Sequence, residues 1–335
     1  REWDPLPLDE VCIGDCPHPP WGSSDAIRAD RARSSEPPHL RPPRAMTTTH
    51  DPGVELPLQQ QESVVIRFAG DSGDGMQITG NQFTHTSALF GNDLATFPDF
   101  PAEIRAPAGT RPGVSGFQVH FGAVDVHTPG DRPDVLVSMN PAALITNYKD
   151  LKPGGLLIAN TGQFAAKDLT KAKLETNPLE DGTLDGYRVI EVDVSQRVKE
   201  ALAETALKPK EVDRCKNFYT LGLMYWLFSR PLEPTKNWLT EKFAKRPEIA
   251  EANILALQAG YNAGDIQELF QGRFEVPPCD SMPPGTYRNI LGNQAIGLGL
   301  MAAAELAELD LFLGAYPITP ASDILHQLSA YKNFG

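Results

Sequence analysis

Cysteine is scarce, with four in 335 residues. Cys215 and Cys279 stand alone, and Cys12 and Cys16 form one C-x3-C with no second pair. That spacing argues against a disulfide scaffold and against a zinc or iron–sulfur site on this chain, and it suits a reducing cytoplasm. Surplus positive charge is missing too. Lys and Arg number 30 against 43 Asp and Glu, a net charge of −13, which argues against a nucleic-acid or anionic-membrane surface. No apolar run approaches the roughly 20 residues of a membrane span. The most apolar stretch, Phe218–Phe228, is too short, and the first residues show no secretory pattern. What remains is ordinary globular composition, 41% hydrophobic and 22% charged, at a length that can bury one or two cores.

The chain is organised around Val64–Gly80, VVIRFAGDSGDGMQITG. A β-branched run leads into a loop with glycines at 70, 73 and 75, and Met76–Phe90 follows as a helix. Strand, glycine turn and helix are the parts of a phosphate cradle, because glycine lets the backbone approach an anion and the first helical N–H groups carry positive partial charge. The spacing is not the dinucleotide G-x-G-x-x-G. Asp71 and Asp74 lie in the loop and would repel a bare phosphate. Anion binding and a plain βα turn both stay open at this point.

Residues 1–45 carry nine prolines and no apolar periodicity, so a packed fold is not expected there. Met46 opens MTTTHDPG and reads as a natural start. The preceding residues are either mis-translated upstream sequence or a disordered tail, and 1–60 as a whole is expected to be disordered. From Ser63 the pattern is α/β. Strands are expected at Val64–Ala69, Asp93–Phe97, Gly116–Ala123, Asp134–Ser138, Gly155–Asn160 and Tyr187–Val194. Helices are expected at Pro141–Asn147, Gln196–Thr205, Arg214–Phe228, Trp238–Phe243 and Pro247–Phe270. The alternation predicts a mostly parallel sheet covered on both faces. Pro98–Ser115 reads as a long, stiff and functional loop carrying Arg105 and Arg111. His85 and His120 are isolated and read as structural or surface residues. Gln271–Gly285, with four prolines, reads as a linker. A second unit then begins: helix Gly292–Leu306, strand Asp310–Leu313, the proline-stiffened loop Gly314–Pro320 and helix Ile324–Leu328.

IRFAGDSGDG, PDFPAEIRAP and GFQVHFG, followed by GNQAIGLG and YPITPASDIL, resemble the fused γ/α-type α subunits of 2-oxoacid:ferredoxin oxidoreductases, most closely those acting on 2-oxoglutarate. YPITP, Tyr316–Pro320, is the most specific of these motifs. The resemblance implies a three-layer α/β/α γ-type domain with a mostly parallel sheet over 61–270. A linker at 271–286 and the truncated start of an α/β domain binding the pyrimidine end of thiamine diphosphate, 287–335, would follow. It implies CoA-dependent oxidative decarboxylation of a 2-oxoacid with ferredoxin as electron acceptor. Tyr316, Pro317, Ile318 and Thr319 would meet the cofactor, with Thr319 as the catalytic hydroxyl. Gly70, Ser72, Gly73 and Gly75 would be cofactor-binding, and Arg105 and Arg111 would take coenzyme A or substrate carboxylate.

The resemblance further implies a β subunit, in a heterodimer or a dimer of heterodimers. That subunit would share the thiamine diphosphate and Mg2+, hold the iron–sulfur cluster and receive ferredoxin. As an N-terminal fragment with no metal site of its own, this chain alone is expected to be inactive. Two alternatives stand beside this reading: a nicotinamide-dependent Rossmann-type oxidoreductase, and a non-catalytic assembly subunit.

Overall fold

The β-branched run at Val64 becomes the middle of a six-stranded sheet. The structure is a computed structural model and describes residues 10–13, 57–101, 106–266, 269–283 and 285–331. In chain order its strands are β1 (Glu10–Ile13), β2 (Leu58–Gln60), β3 (Ser63–Asp71), β4 (Asp93–Asp99), β5 (Val114–Gly122), β6 (Val135–Ser138), β7 (Leu156–Asn160), β8 (Arg188–Val192), β9 (Arg273–Glu275) and β10 (Gly285–Arg288). Its helices are α1 (Met76–Leu89), α2 (Pro141–Asn147), α3 (Ala166–Lys171), α4 (Val194–Ala201), α5 (Pro209–Asp213), α6 (Lys216–Leu227), α7 (Glu233–Lys242), α8 (Pro247–Ile266), α9 (Gly292–Ala307) and α10 (Ser322–Ala330).

The large sheet runs β4-β5-β3-β6-β7-β8. The β3–β6, β6–β7 and β7–β8 pairs are parallel, whereas β5 is antiparallel to both β3 and β4. Only β5 of the six strands opposes the rest. Side-chain alternation serves two covered faces. Ile66, Phe68, Val135, Val137, Leu156 and Ile158 pack with residues of α1, α6 and α8. Ala69, Leu136 and Leu157 point the other way, into a cluster with Ala142–Leu144 of α2 and with Phe164. This is the three-layer α/β/α arrangement that the strand–helix alternation predicts.

The first cluster is built around Phe83 of α1. Its ring lies 5.3–6.0 Å from those of Phe68, Phe121, Tyr225 and Phe228. All twelve residues of α6 are buried. It crosses α8 at a pair of glycines: a Cβ on Gly222 would lie 2.0 Å from Leu257 O, and one on Gly260 would lie 1.9 Å from Tyr219 O. No side chain fits in that crossing.

Several expected boundaries move. β4 runs on through Pro98 to Asp99 and β5 starts at Val114, so the proline-rich loop is shorter than Pro98–Ser115. Proline is tolerated in β4 because β4 is an edge strand. The helices α3 and α5, six and five residues long, escape the sequence reading because so short a span shows no periodicity. The stretch expected as a linker is partly folded. β9 pairs in parallel with β2, Val276 and Cys279 are buried, and Cys279 N donates to Gly91 O at 2.8 Å. The expected disorder of 1–60 is corrected at two places: Leu58–Gln60 is β2, and the backbone of Glu10–Ile13 pairs antiparallel with Gly285–Arg288. The Cys12 and Cys16 side chains and Met46 lie outside the described residues. Asp310–Leu313 forms no strand; a strand needs a neighbour, and none pairs with it among the described residues.

Candidate functional site

Where the chain leaves β3 for α1 it travels to one side of the sheet, and where it leaves β6 for α2 it travels to the other. The C-terminal ends of β3 and β6 therefore flank the switch point, the place where open α/β sheets hold ligands. The glycine turn sits there. Gly75 caps α1 at φ 76°, in the left-handed region that glycine holds most cheaply, and a Cβ on it would lie 2.6 Å from Asn217 Nδ2. Asp74 N donates to Asp71 O at 2.9 Å, closing the turn. The tip, Ser72 and Gly73, is exposed, and a Cβ on Gly73 would meet nothing within 4 Å.

The two acidic residues fold inward instead of facing solvent. Asp74 Oδ2 accepts Asp71 N at 2.8 Å, and Asp71 Oδ2 accepts Gly109 N, also at 2.8 Å. Asp71 Oδ1 is buried with no hydrogen-bond partner. The Asn140 side-chain amide lies beside both carboxylates, while Asn140 Oδ1 accepts Ala143 N at 2.9 Å and caps α2. Burial first, then the neighbouring Asp74 charge, pushes the Asp71 carboxyl up to about 6. Burial raises Asp74 as well, opposed by its bond from Asp71 N–H and by the Lys216 ammonium. Lys216 is itself buried at the start of α6 and pairs with Asp213 at 2.9 Å. On β7, Asn160 Nδ2 donates to Met139 O at 3.2 Å, and its Oδ1 is buried without a partner. Chemically, the turn is lined by carboxyl acceptors. It suits a ligand's N–H or O–H better than bare phosphate.

The structure thus places Ser72, Gly73 and Gly75 in one turn, with Gly70 buried near the end of β3. Arg111 lies in the next connection, exposed, with Nε donating to Ala172 O at 3.1 Å. Arg105 lies outside the described residues. Tyr316, Pro317, Ile318 and Thr319 belong to another element, the loop between α9 and α10. Tyr316 is 79% exposed. Ile318 O accepts Ser322 N at 3.0 Å, starting α10, and Asn293 Nδ2 of α9 donates to Pro320 O at 3.0 Å. No hydrogen bond joins this loop to the glycine turn among the described residues. Sequence reasoning missed Asn140, Asn160, Lys216 and Asn217. The Asn-Pro pair at 140–141, a capping residue ahead of a first-turn proline, was a legible signal for the first of them. A separate cleft of about 190 Å3 opens at the opposite edge, by Val64, Val135 and Leu156. Its Lys152 is already paired with Asp134 at 2.6 Å.

A family model for pyruvate ferredoxin/flavodoxin oxidoreductase matches residues 65–263. The chain is 54% identical over 276 residues to 2-oxoglutarate oxidoreductase subunit KorA of Mycobacterium tuberculosis, covering 82% of this chain and 42% of that protein. It is 21% identical over 279 residues to 2-oxoacid:ferredoxin oxidoreductase 2, subunit alpha, of Aeropyrum pernix, covering 76% and 41%. Among solved structures it resembles the 2-oxoglutarate:ferredoxin oxidoreductase of Magnetococcus marinus, which holds 2-oxoglutarate, coenzyme A and succinyl-CoA. The TM-score is 0.60 at 25% identity, over 82% of this chain and 42% of that one. The chain therefore spans about two-fifths of the length of these relatives. With the matched segment coinciding with the three-layer domain and its glycine turn, the chain belongs to the pyruvate ferredoxin/flavodoxin oxidoreductase family.

Proposed function

We propose that the chain forms part of the α subunit of a 2-oxoacid:ferredoxin oxidoreductase converting 2-oxoglutarate and coenzyme A to succinyl-CoA. The observation that carries this is the 54% identity to KorA along 82% of the chain. The likeness to a 2-oxoglutarate:ferredoxin oxidoreductase that holds coenzyme A supports it. In this reading the exposed loop Tyr316–Thr319 holds the pyrimidine end of thiamine diphosphate. The donor set fits that group: one aromatic ring, one hydroxyl and backbone amides on a proline-stiffened loop can meet a planar heterocycle without rearranging. When bound, thiamine diphosphate supplies the electron sink for decarboxylation. Thr319 orients, and Ile318 and Pro317 shield the ring from water. Gly70, Ser72, Gly73 and Gly75 are assigned to cofactor binding through its N–H and O–H groups, and Arg105 and Arg111 to coenzyme A or the substrate carboxylate, as bidentate donors.

The described residues contain no group of three His, Cys, Asp or Glu placed to hold a metal ion, and Cys215 and Cys279 are both buried and free. In the same reading a β subunit holds the Mg2+ and the iron–sulfur cluster, and ferredoxin docks there. The nicotinamide alternative fares poorly, because the G-D-S-G-D-G spacing is not the dinucleotide G-x-G-x-x-G. Thr319→Ala in the complete enzyme is expected to lower kcat for 2-oxoglutarate-dependent viologen reduction by roughly tenfold or more. Arg105→Ala with Arg111→Ala is expected to raise the apparent KM for coenzyme A. Unchanged turnover in both would leave this chain a pure assembly element and overturn the assignment.

A further inference from the structure

The starts of β3, β6 and β7 lie at the other end of the sheet from the glycine turn. The cleft of about 190 Å3 opens there. Its floor is apolar. Val64, Val135 and Leu156 of the sheet and Phe228 after α6 are buried, and Phe274 of β9 is half-buried. The Phe228 and Phe274 rings stack with centroids 5.6 Å apart. Such a floor offers aromatic faces and branched aliphatic carbon, the usual lining of a small-molecule site. A closed apolar cavity of about 150 Å3 takes benzene. The volume here suits one six-membered ring with a small substituent.

The rim of the cleft carries charge. Lys152 Nζ pairs with Asp134 Oδ1 at 2.6 Å, while Asp134 Oδ2 accepts Val65 N at 2.8 Å. That carboxylate is fixed in place and neutralises its lysine. Arg188, exposed at the start of β8, also lines the cleft and donates through Nε to Gly154 O at 3.1 Å. Its two Nη groups have no partner among the described residues. One cation is thus left over, anchored by Nε and presenting an end-on pair of N–H donors. A single carboxylate matches that pair. Asp134 on the same rim disfavours a dianion.

We propose that this cleft binds a small monocarboxylate built on one planar ring. The ring packs on Phe274 and on the Val64, Val135 and Leu156 side chains, and the carboxylate meets the Arg188 Nη pair. Phe274 belongs to β9, which pairs with β2, and Gln61 just after β2 also lines the cleft. Separating β2 from β9 would carry these two residues away from the ligand. Occupancy therefore braces the β2–β9 pair, because a molecule that binds only the closed form stabilises it by mass action.

Benzoate is the probe, titrated against the full chain with amide chemical shifts as the readout. Saturable shifts are expected at Leu156, Arg188 and Phe274, with a Kd on the order of 1 mM, the range open to a ligand of so few atoms. Arg188→Gln, a change at an exposed position, is expected to weaken benzoate by roughly tenfold. Benzyl alcohol, a similar ring without the charge, is expected to bind more weakly, and equally to both proteins. Phe274→Leu is expected to weaken both probes. Should that variant not fold, the Arg188→Gln comparison still decides. At about 10 mM benzoate, hydrogen exchange of the paired β2 and β9 amides is expected to slow by roughly tenfold. Shifts that rise without saturating, shifts centred away from these residues, or equal benzoate affinity in Arg188→Gln overturn the site. No readout here involves turnover, so the oxidoreductase reading stands or falls separately.

Discussion

At the scale of single residues, the least ordinary group is Arg230. It is 1% exposed, its guanidinium lies 4.2 Å from the Phe90 ring and 5.2 Å from that of Phe121, and burial brings its pKa down to about 9. Its hydrogen bond is to Asn92, Nη2 to Oδ1 at 2.5 Å. Asn92 in turn donates through Nδ2 to Val276 O and Pro277 O at 3.3 and 2.6 Å. One small amide thus supports a buried charge and hooks the segment after β9. Asn92→Ala strips the hydrogen-bond partner from a desolvated cation, and such losses cost about 1.5–3 kcal/mol. A chemical-denaturation midpoint checks this. Asn92→Asp keeps an acceptor for the guanidinium but turns a carboxylate oxygen onto Val276 O and Pro277 O, so it is expected to be destabilised as well. Gly75→Ala is expected to cost about 1–3 kcal/mol because it forces a left-handed φ on a residue with a Cβ, and that Cβ also runs into Asn217.

At the scale of elements, the α6–α8 crossing decides how two helices can meet. Gly260→Ala sets a methyl 1.9 Å from the Tyr219 carbonyl oxygen, a backbone atom that no rotamer change can move. The helices must separate, and the expected cost is about 3 kcal/mol, the upper end for overpacking. Gly299→Ala on α9 is the same chemical change in open space, where it is expected to stabilise by up to about 1 kcal/mol through helix propensity. Thermal unfolding of the two variants separates the contexts. The same contrast explains what could be read from sequence. β3, β5, β6 and β7, and the helices α1, α2, α6 and α8, are legible because apolar spacing is local. β1, β2 and β9 are not, because a three- or four-residue strand exists only through a remote partner. The glycine turn was visible in G-D-S-G-D-G. That its aspartates turn inward was not, because Gly109 and Asn140 arrive from other parts of the sheet.

At the scale of the whole molecule, β2 and β9 join the start of the three-layer domain to its end. Arg273 N donates to Pro57 O at 3.1 Å and Gln61 N to Glu275 O at 2.8 Å, and Val276 and Cys279 are buried just beyond. Limited proteolysis is therefore expected to cut first before Pro57 and within 280–283, sparing 273–279. Early cuts between Val114 and Asn160 would contradict the domain. The direction of the pair has a mechanical consequence. In parallel neighbours the entering end of one strand and the leaving end of the other lie at opposite ends of the ladder. Tension applied across the domain along the chain would load the β2–β9 bonds in shear, all sharing the force, instead of peeling them one at a time. A domain tethered through 57 and 276 would resist pulling from its neighbours at this small two-stranded seam before any strand of the main sheet felt the load.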